Sequence, residues 1–303
     1  MIICDTHCDT LYAMAIHPER TRDVTEETLR LGGVSLQTLA MFVGSSPRLE
    51  DIRTAFGKMT AAWEEMKAAG ALQALSPSEA REGESRFMLS VEGCDLLADG
   101  LETLDAWHAM GVRMAALTWN YPNAVATPHC TDAVTGLTPF GRDAVRRMEK
   151  LGIACDVSHL NERGFWDLME MGVSPLASHS CCRALCGHTR NLTDEQLKKL
   201  FEAGGYVGVN FYPAFLKDRG EATTEDIADH LEHMMEMGGE GKIGFGSDFD
   251  GIGRKPLDLK DPSQLPGLMN ALRRRFGEEC VRGIAGRNLI DYYARAVEKG
   301  AGA

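Results

Sequence analysis

Short apolar, β-branched or glycine-flanked runs recur along this chain at strand length, each followed by a stretch with helical spacing. That alternation limits the fold more than any other feature. The runs are Ile2–Thr6, Leu36–Val43, Phe87–Val91, Val112–Leu117, Ile153–Val157, Pro175–Ser178, Tyr206–Phe211 and Lys242–Gly246. Between them, Ile52, Phe56, Met59, Trp63 and Met66 recur at helical intervals within Leu49–Ala69. Thr138-Pro139 reads as the N-cap and first helical position of a helix that runs to about Leu151 and stops at Gly152. Asn161 to Met171 ends at Gly172 in the same way, and Thr193-x-x-Gln196 is a capping box. Thr224 to Met237 closes on Gly238-Gly239, and helices over Ser263 to Phe276 and Glu278 to Lys299 finish the chain. Strand followed by helix, eight times over, predicts a (β/α)8 barrel of the TIM type. A doubly wound open sheet is the alternative. It would want a glycine-rich phosphate loop after the first strand, where residues 5–10 are Asp, Thr, His, Cys, Asp and Thr. No linker, low-complexity block or repeat divides residues 1–303, which predicts one domain.

Charge and composition exclude several partners. A formal net charge of −12 argues against nucleic acid or an anionic membrane surface. No apolar run approaches the ~20 residues of a membrane helix. His7 and Asp9 stand where the apolar core of a secretory signal would lie, so a cytoplasmic location is expected. The nine cysteines include no C-x-x-C pair, which favours reduced thiols over a thiolate zinc site.

The polar residues cluster at the C-terminal ends of the runs, the end at which such barrels carry their chemistry. The first run leads into Asp5-Thr-His7-Cys-Asp9, and a strand period of two would send His7 and Asp9 to one side. Burying an imidazole beside a carboxylate is costly without compensation. A divalent metal supplies it, and so does a hydrogen-bonded His–Asp pair; the decapeptide alone does not choose. The other runs end in Ser90-Val-Glu92-Gly93, Asp156-Val-Ser-His159, Ser178-His179-Ser180 and Gly246-Ser-Asp248-Phe-Asp250. Three imidazoles and at least three carboxylates thus reach one rim from five strands. That donor set suits zinc. Six ligands exceed one tetrahedral ion and fit two ions about 3.5–4 Å apart that share a bridging carboxylate. No lysine stands at a strand end to serve as a carbamylated bridge, which leaves Glu92.

With these motifs in order, together with Arg190-Asn191, Val209-Asn-Phe-Tyr212 and Gly244-Phe-Gly-Ser-Asp-Phe-Asp-Gly251, the chain resembles the renal (membrane) dipeptidase family of binuclear zinc peptidases, an amidohydrolase-like barrel family. The resemblance covers nearly the full length. It implies two zinc ions per chain, one held by His7, Asp9 and Asp248, the other by His159 and His179, with Glu92 as bridge. It implies hydrolysis of dipeptides, tolerance of a D-residue at the C-terminal position, and Asp248 and Glu92 as catalytic residues. Arg190 is expected to bind the substrate carboxylate, with Tyr212 beside it, and the resemblance admits a homodimer.

One position departs from the family. Better-known members carry Thr-His after the fourth barrel strand, whereas this chain reads Leu117-Thr-Trp119-Asn120. Trp119 supplies no imidazole, so Trp119 and Asn120 are expected to contact substrate, with His129 as a further stand-in. A hydrolase of another carboxylated amide and a catalytically silent metal-binding scaffold are the rival functions. His230 and His233 are expected on a solvated helix face and His17 and His108 at the surface, while His188 is a candidate for the pocket.

Overall fold

A computed structural model describes residues 1–44, 46–132 and 134–298. Its strands are β1 (Cys4–Cys8), β2 (Leu36–Phe42), β3 (Leu72–Gln73), β4 (Arg86–Glu92), β5 (Val112–Ala116), β6 (Ala154–Asp156), β7 (Leu176–Ser180), β8 (Tyr206–Val209) and β9 (Ile243–Phe245). The ladders among them are parallel and run β2-β1-β9-β8-β7-β6-β5-β4. β2 also pairs with β4 along its whole length, from Leu36↔Arg86 to Phe42↔Glu92, which closes the sheet into an eight-stranded barrel. The two-residue β3 lies beside the start of β4 and is not one of the barrel strands. The expected (β/α)8 barrel is therefore the fold, and the open sheet is excluded.

Helices follow the strands and pack their apolar faces outside. Leu39, Leu89, Ala115, Val157, Ala177, Val207 and Phe245 share a buried cluster with Trp63, Trp107, Phe165, Phe201 and Leu231 from the helices. The helix Pro139–Leu151 starts at Thr138, whose hydroxyl accepts from Gly141 N–H, and stops at Gly152 in left-handed conformation. The Thr193–Gln196 capping box starts Asp194–Glu202 as read. The helices Thr10–Ile16, Glu26–Gly32 and Glu102–Met110 were not anticipated: the first two are too short to show a helical period, and Glu102–Met110 lacks a side-chain cap to mark its start. The final helical stretch is broken into Glu278–Arg282, Gly283–Arg287, Asn288–Tyr292 and Tyr293–Val297, two of them wider π turns; Lys299, the expected end, lies outside the described residues.

That last stretch stoppers the barrel. Leu289, Tyr292 and Tyr293 pack against Cys4, Leu36, Met88, Met114, Ala154, Leu176 and Tyr206, one side chain each from β1, β2 and β4 to β8. Tyr292 donates to the Ser174 carbonyl at 2.9 Å and Tyr293 to the Arg113 carbonyl at 3.2 Å, so both hydroxyls are satisfied. One layer higher the interior is narrow. The Thr6 hydroxyl lies 2.5 Å from the Ser178 carbonyl oxygen and 2.8 Å from that of Phe245. A Cβ at Gly208 or Gly246 would collide with that same Ser178 oxygen. Small residues here leave the mouth above free for larger polar ones.

Gly246→Ala should cost about 2 to 3 kcal/mol by overpacking. Gly57→Ala, in the exposed face of helix Leu49–Ala68 with open space around it, should instead add about 0.5 to 1 kcal/mol. Equilibrium urea unfolding of the two variants checks both signs.

Candidate metal centre

Thr6 points into the barrel, so an unbroken period of two would turn His7 outward. The chain does not keep that period. The β1–β2 register slips between Asp5 and Cys8, and the β7–β8 register slips between Ala177 and Ser180. A histidine sits inside each irregularity and is re-aimed by it. His7 and His179 stack face to face at the mouth, their ring centroids 3.8 Å apart. His7 and Asp9 do lie on one side, as expected, and the irregularity turns that side into the barrel mouth.

Around this stack the other expected residues gather. His7 Nε2 lies 3.6 Å from Asp9 Oδ2, 3.6 Å from Glu92 Oε2 and 3.9 Å from Asp248 Oδ1. The second Glu92 oxygen, Oε1, lies 2.9 Å from His159 Nε2 and 3.3 Å from His179 Nε2. Glu92 therefore faces two groups of donors, one oxygen to each. His7, Glu92 and His179 form one set able to surround a cation, and His7, Asp9 and Asp248 form another. All six residues are buried. His159 and Asp248 have φ of 67° and 64°, a left-handed backbone that non-glycine residues adopt at a cost.

Two further aspartates hold this geometry without joining it. Asp5 accepts from Ser247 Oγ at 2.5 Å, Ser247 N–H at 2.9 Å and His7 N–H at 3.2 Å. Asp156 accepts from Ser178 Oγ at 2.5 Å, Ser178 N–H at 2.9 Å and Ser158 N–H at 2.8 Å. Asp250, also read at the rim, accepts from Thr10 Oγ1 at 2.7 Å and Asp23 N–H at 2.6 Å, and so ties helix Thr10–Ile16 and the segment after it to the loop following β9.

These contacts fix the tautomers. Ser178 gives its one proton to Asp156, so at 2.7 Å it must accept the proton of His179 Nδ1. His159 Nδ1 donates to Asn120 Oδ1 at 3.0 Å. Both Nε2 atoms then carry lone pairs, yet they face each other at 3.2 Å. Two lone pairs repel at that distance unless a cation lies between or beside them. His7 Nε2 and Asp9 Oδ1 are likewise buried without a hydrogen-bond partner. Orphaned donors of nitrogen and oxygen type in this arrangement fit a divalent metal of the zinc kind.

Without a cation, charge is shared with protons. Burial pulls the His7 imidazole down, but Glu92, Asp9 and Asp248 outweigh it and bring it up to about 10. Burial pushes Glu92 well above the usual carboxylate range and Asp248 up to about 7. His159 and His179 go the other way, held neutral by burial and by the nearby positive groups.

Arg190 is buried against the His179 side of the cluster. Its Nη2 donates to the His179 carbonyl at 3.1 Å and Nη1 to Ser180 Oγ at 3.3 Å, while Nε has no partner. Its guanidinium lies over the Phe215 ring at 5.6 Å, and Tyr212 packs on that ring edge-on. Trp119 is half-buried, 6.1 Å from the His159 ring. Asn120, expected at the substrate, is engaged by imidazoles through its Oδ1, which takes His159 Nδ1–H and, at 3.2 Å, His129 Nε2–H. His129 is locked in turn by Thr189 Oγ1 at 2.9 Å, and its backbone N–H holds the His159 carbonyl at 2.8 Å. Sequence reasoning missed this chain, although the proximity of Asn120 to the rim was visible. His188 accepts from Arg190 N–H and packs on Phe215. The expectation for His230 is overturned. It is fully buried, accepting from Cys182 N–H in the loop after β7 and donating to the Leu216 carbonyl, so its helix turns that face inward. His233 is half-buried against Asp194.

Known proteins carry the same frame. The membrane dipeptidase model, peptidase family M19, matches residues 1–299. A metallo peptidase from Rhodobacter sphaeroides, solved with a phosphinate mimic of the dipeptide L-Ala-D-Ala, superposes with a TM-score of 0.89 at 26% identity, over 98% of this chain and 99% of its own. An uncharacterized protein of the pqqA 5′ region of Klebsiella pneumoniae is 39% identical over 59% of this chain and 69% of its own length. An uncharacterized dipeptidase of Schizosaccharomyces pombe is 34% identical over 69% of this chain, and the match spans 52% of that longer protein.

Two outcomes follow for cation binding, both read by competition with a chelating dye. Asn120→Ala frees the His159 ring and should weaken binding about 10- to 100-fold. For the unaltered protein, affinity should fall as pH drops below about 10, where the cation must displace the His7 proton, and more steeply below about 7, where Asp248 holds one too.

Proposed function

Because the chain belongs to the membrane dipeptidase family, peptidase family M19, we propose that it is a zinc-dependent dipeptidase that cleaves the single peptide bond of dipeptides. What carries the reading is a buried guanidinium with one unspent donor set directly beside a metal-type cluster. Two zinc ions fit the donors. His7, Asp9 and Asp248 would hold one and His159 and His179 the other, with Glu92 between them. Zinc held there supplies a Lewis acid for the peptide carbonyl and brings the pKa of water into the neutral range.

The side chains do the rest. Asn210 donates to Asp248 Oδ2 at 2.9 Å, which orients the carboxylate and leaves Oδ1 turned toward the cluster. Asp248 can take the proton of the attacking water there and pass it to the leaving amine. Arg190 grips a free carboxylate one residue past the scissile bond, which restricts the substrate to dipeptides. The L-Ala-D-Ala mimic bound by the Rhodobacter relative supports a D-residue at that second position. Trp119, in place of the family's histidine, favours one alternative: hydrolysis of another carboxylated amide at the same centre. A panel of L,L- and L,D-dipeptides against N-acyl amino acids and cyclic amides separates the two.

Arg190→Ala should raise KM for dipeptides by about 10- to 150-fold, the worth of a charged hydrogen bond of roughly 1.5–3 kcal/mol. Metal content, measured by elemental analysis of the same preparation, should stay unchanged. A variant with ordinary KM would remove Arg190 from the carboxylate site.

A further inference from the structure

Opposite Arg190 the mouth is lined by aromatic rings that nothing in the metal cluster uses. Tyr12, on helix Thr10–Ile16, meets Phe42 edge-on with centroids 4.9 Å apart, and Phe42 meets Trp119 edge-on at 4.8 Å. Trp119 continues to Tyr121 at 6.0 Å and to the His159 ring at 6.1 Å. All three of the central rings are half-buried and Tyr121 is 40% exposed, whereas Trp63, Trp107, Phe165 and Phe211 are fully buried in the core. The seat is shaped for the indole: a Cβ on Gly44 would come within 2.5 Å of Trp119 Cβ.

Barrel order sets the distance and direction. In the ring β1-β2-β4-β5-β6-β7-β8-β9, β2 and β7 stand across from each other. Phe42 ends β2, and Arg190 is hydrogen-bonded to the end of β7. A dipeptide whose carboxylate lies at Arg190 therefore extends across the metal cluster toward Phe42 and Trp119, its scissile bond in between. Two residues reach about 7 Å, enough to place the first side chain on the far wall. Half-exposed aromatic faces there gain most from an apolar or aromatic group that covers them.

We propose that Tyr12, Phe42 and Trp119 form the pocket for the side chain of the substrate's N-terminal residue and select dipeptides that begin with an aromatic or large aliphatic residue. This rests on the dipeptidase reading. The test is a comparison of kcat/KM for Phe-Ala, Leu-Ala and Gly-Ala with metal-loaded protein, repeated on Trp119→Ala and Gly44→Ala. Burying a Phe side chain is worth about 10- to 150-fold, so Phe-Ala should exceed Gly-Ala by at least about tenfold. Both variants, one removing the indole and one displacing it, should bring the ratio to within about threefold. Intrinsic fluorescence titrations with phosphinate mimics of Phe-Ala and Ala-Ala should show the same preference without turnover. Equal rates for Phe-Ala and Gly-Ala, or a preference that survives in both variants, overturn the pocket and leave the dipeptidase reading standing. Failure to hydrolyse any dipeptide overturns both.

Discussion

Three carboxylates, Asp9, Glu92 and Asp248, are buried around one imidazole at the mouth of the barrel, and the rest of the structure answers to that crowding. Like charges removed from water cannot all stay ionised without a compensating cation. Protons do part of the work in their absence, as the raised Glu92 and Asp248 carboxyls and the cationic His7 record. His159 and His179, kept neutral by burial, still point their Nε2 lone pairs at each other. A divalent ion held by both groups of donors satisfies the two halves of the arrangement together.

The fold makes this tension tolerable by placing it on a rigid base. Asp5 and Asp156 each tie neighbouring strands through two backbone N–H groups and a serine hydroxyl, just below the cluster. The tyrosine-rich stopper and the glycines at Gly208 and Gly246 close the interior beneath. Local costs at the rim, the left-handed His159 and Asp248 among them, are offset by this surrounding packing. Asn120, His129 and Thr189 extend the same logic outward, since they hold His159 by its ring and its backbone carbonyl together.

Much of this was legible in the sequence. Alternation of strand and helix gave the barrel, and the polar tips of five strands gave the six converging residues, because both depend on local pattern and on the rule that barrel chemistry sits at one end. What stayed hidden depends on register. Nothing in Asp5-Thr-His7-Cys-Asp9 announces a strand irregularity, so alternation put His7 and Asp9 on one side without showing that this side faces the mouth. His230 read as solvated, but its burial is decided by which helix face meets Leu216 and the loop after β7, a tertiary fact. Asn120 was placed at the substrate because it stands at the rim; its engagement by two imidazoles comes from loop residues far along the chain. Asp156 stood in a recognised motif beside His159, yet its role as a brace appears only once Ser178 is seen on the adjacent strand.

The most direct measurement is an anomalous-difference map from crystals of the zinc-loaded protein, collected at the zinc edge. Two peaks are expected on either side of Glu92, one near His7, Asp9 and Asp248 and one near His159 and His179. A map with no density at Glu92, or with zinc bound only elsewhere on the molecule, would contradict the idea that buried carboxylates and imidazoles are gathered here to hold a pair of ions.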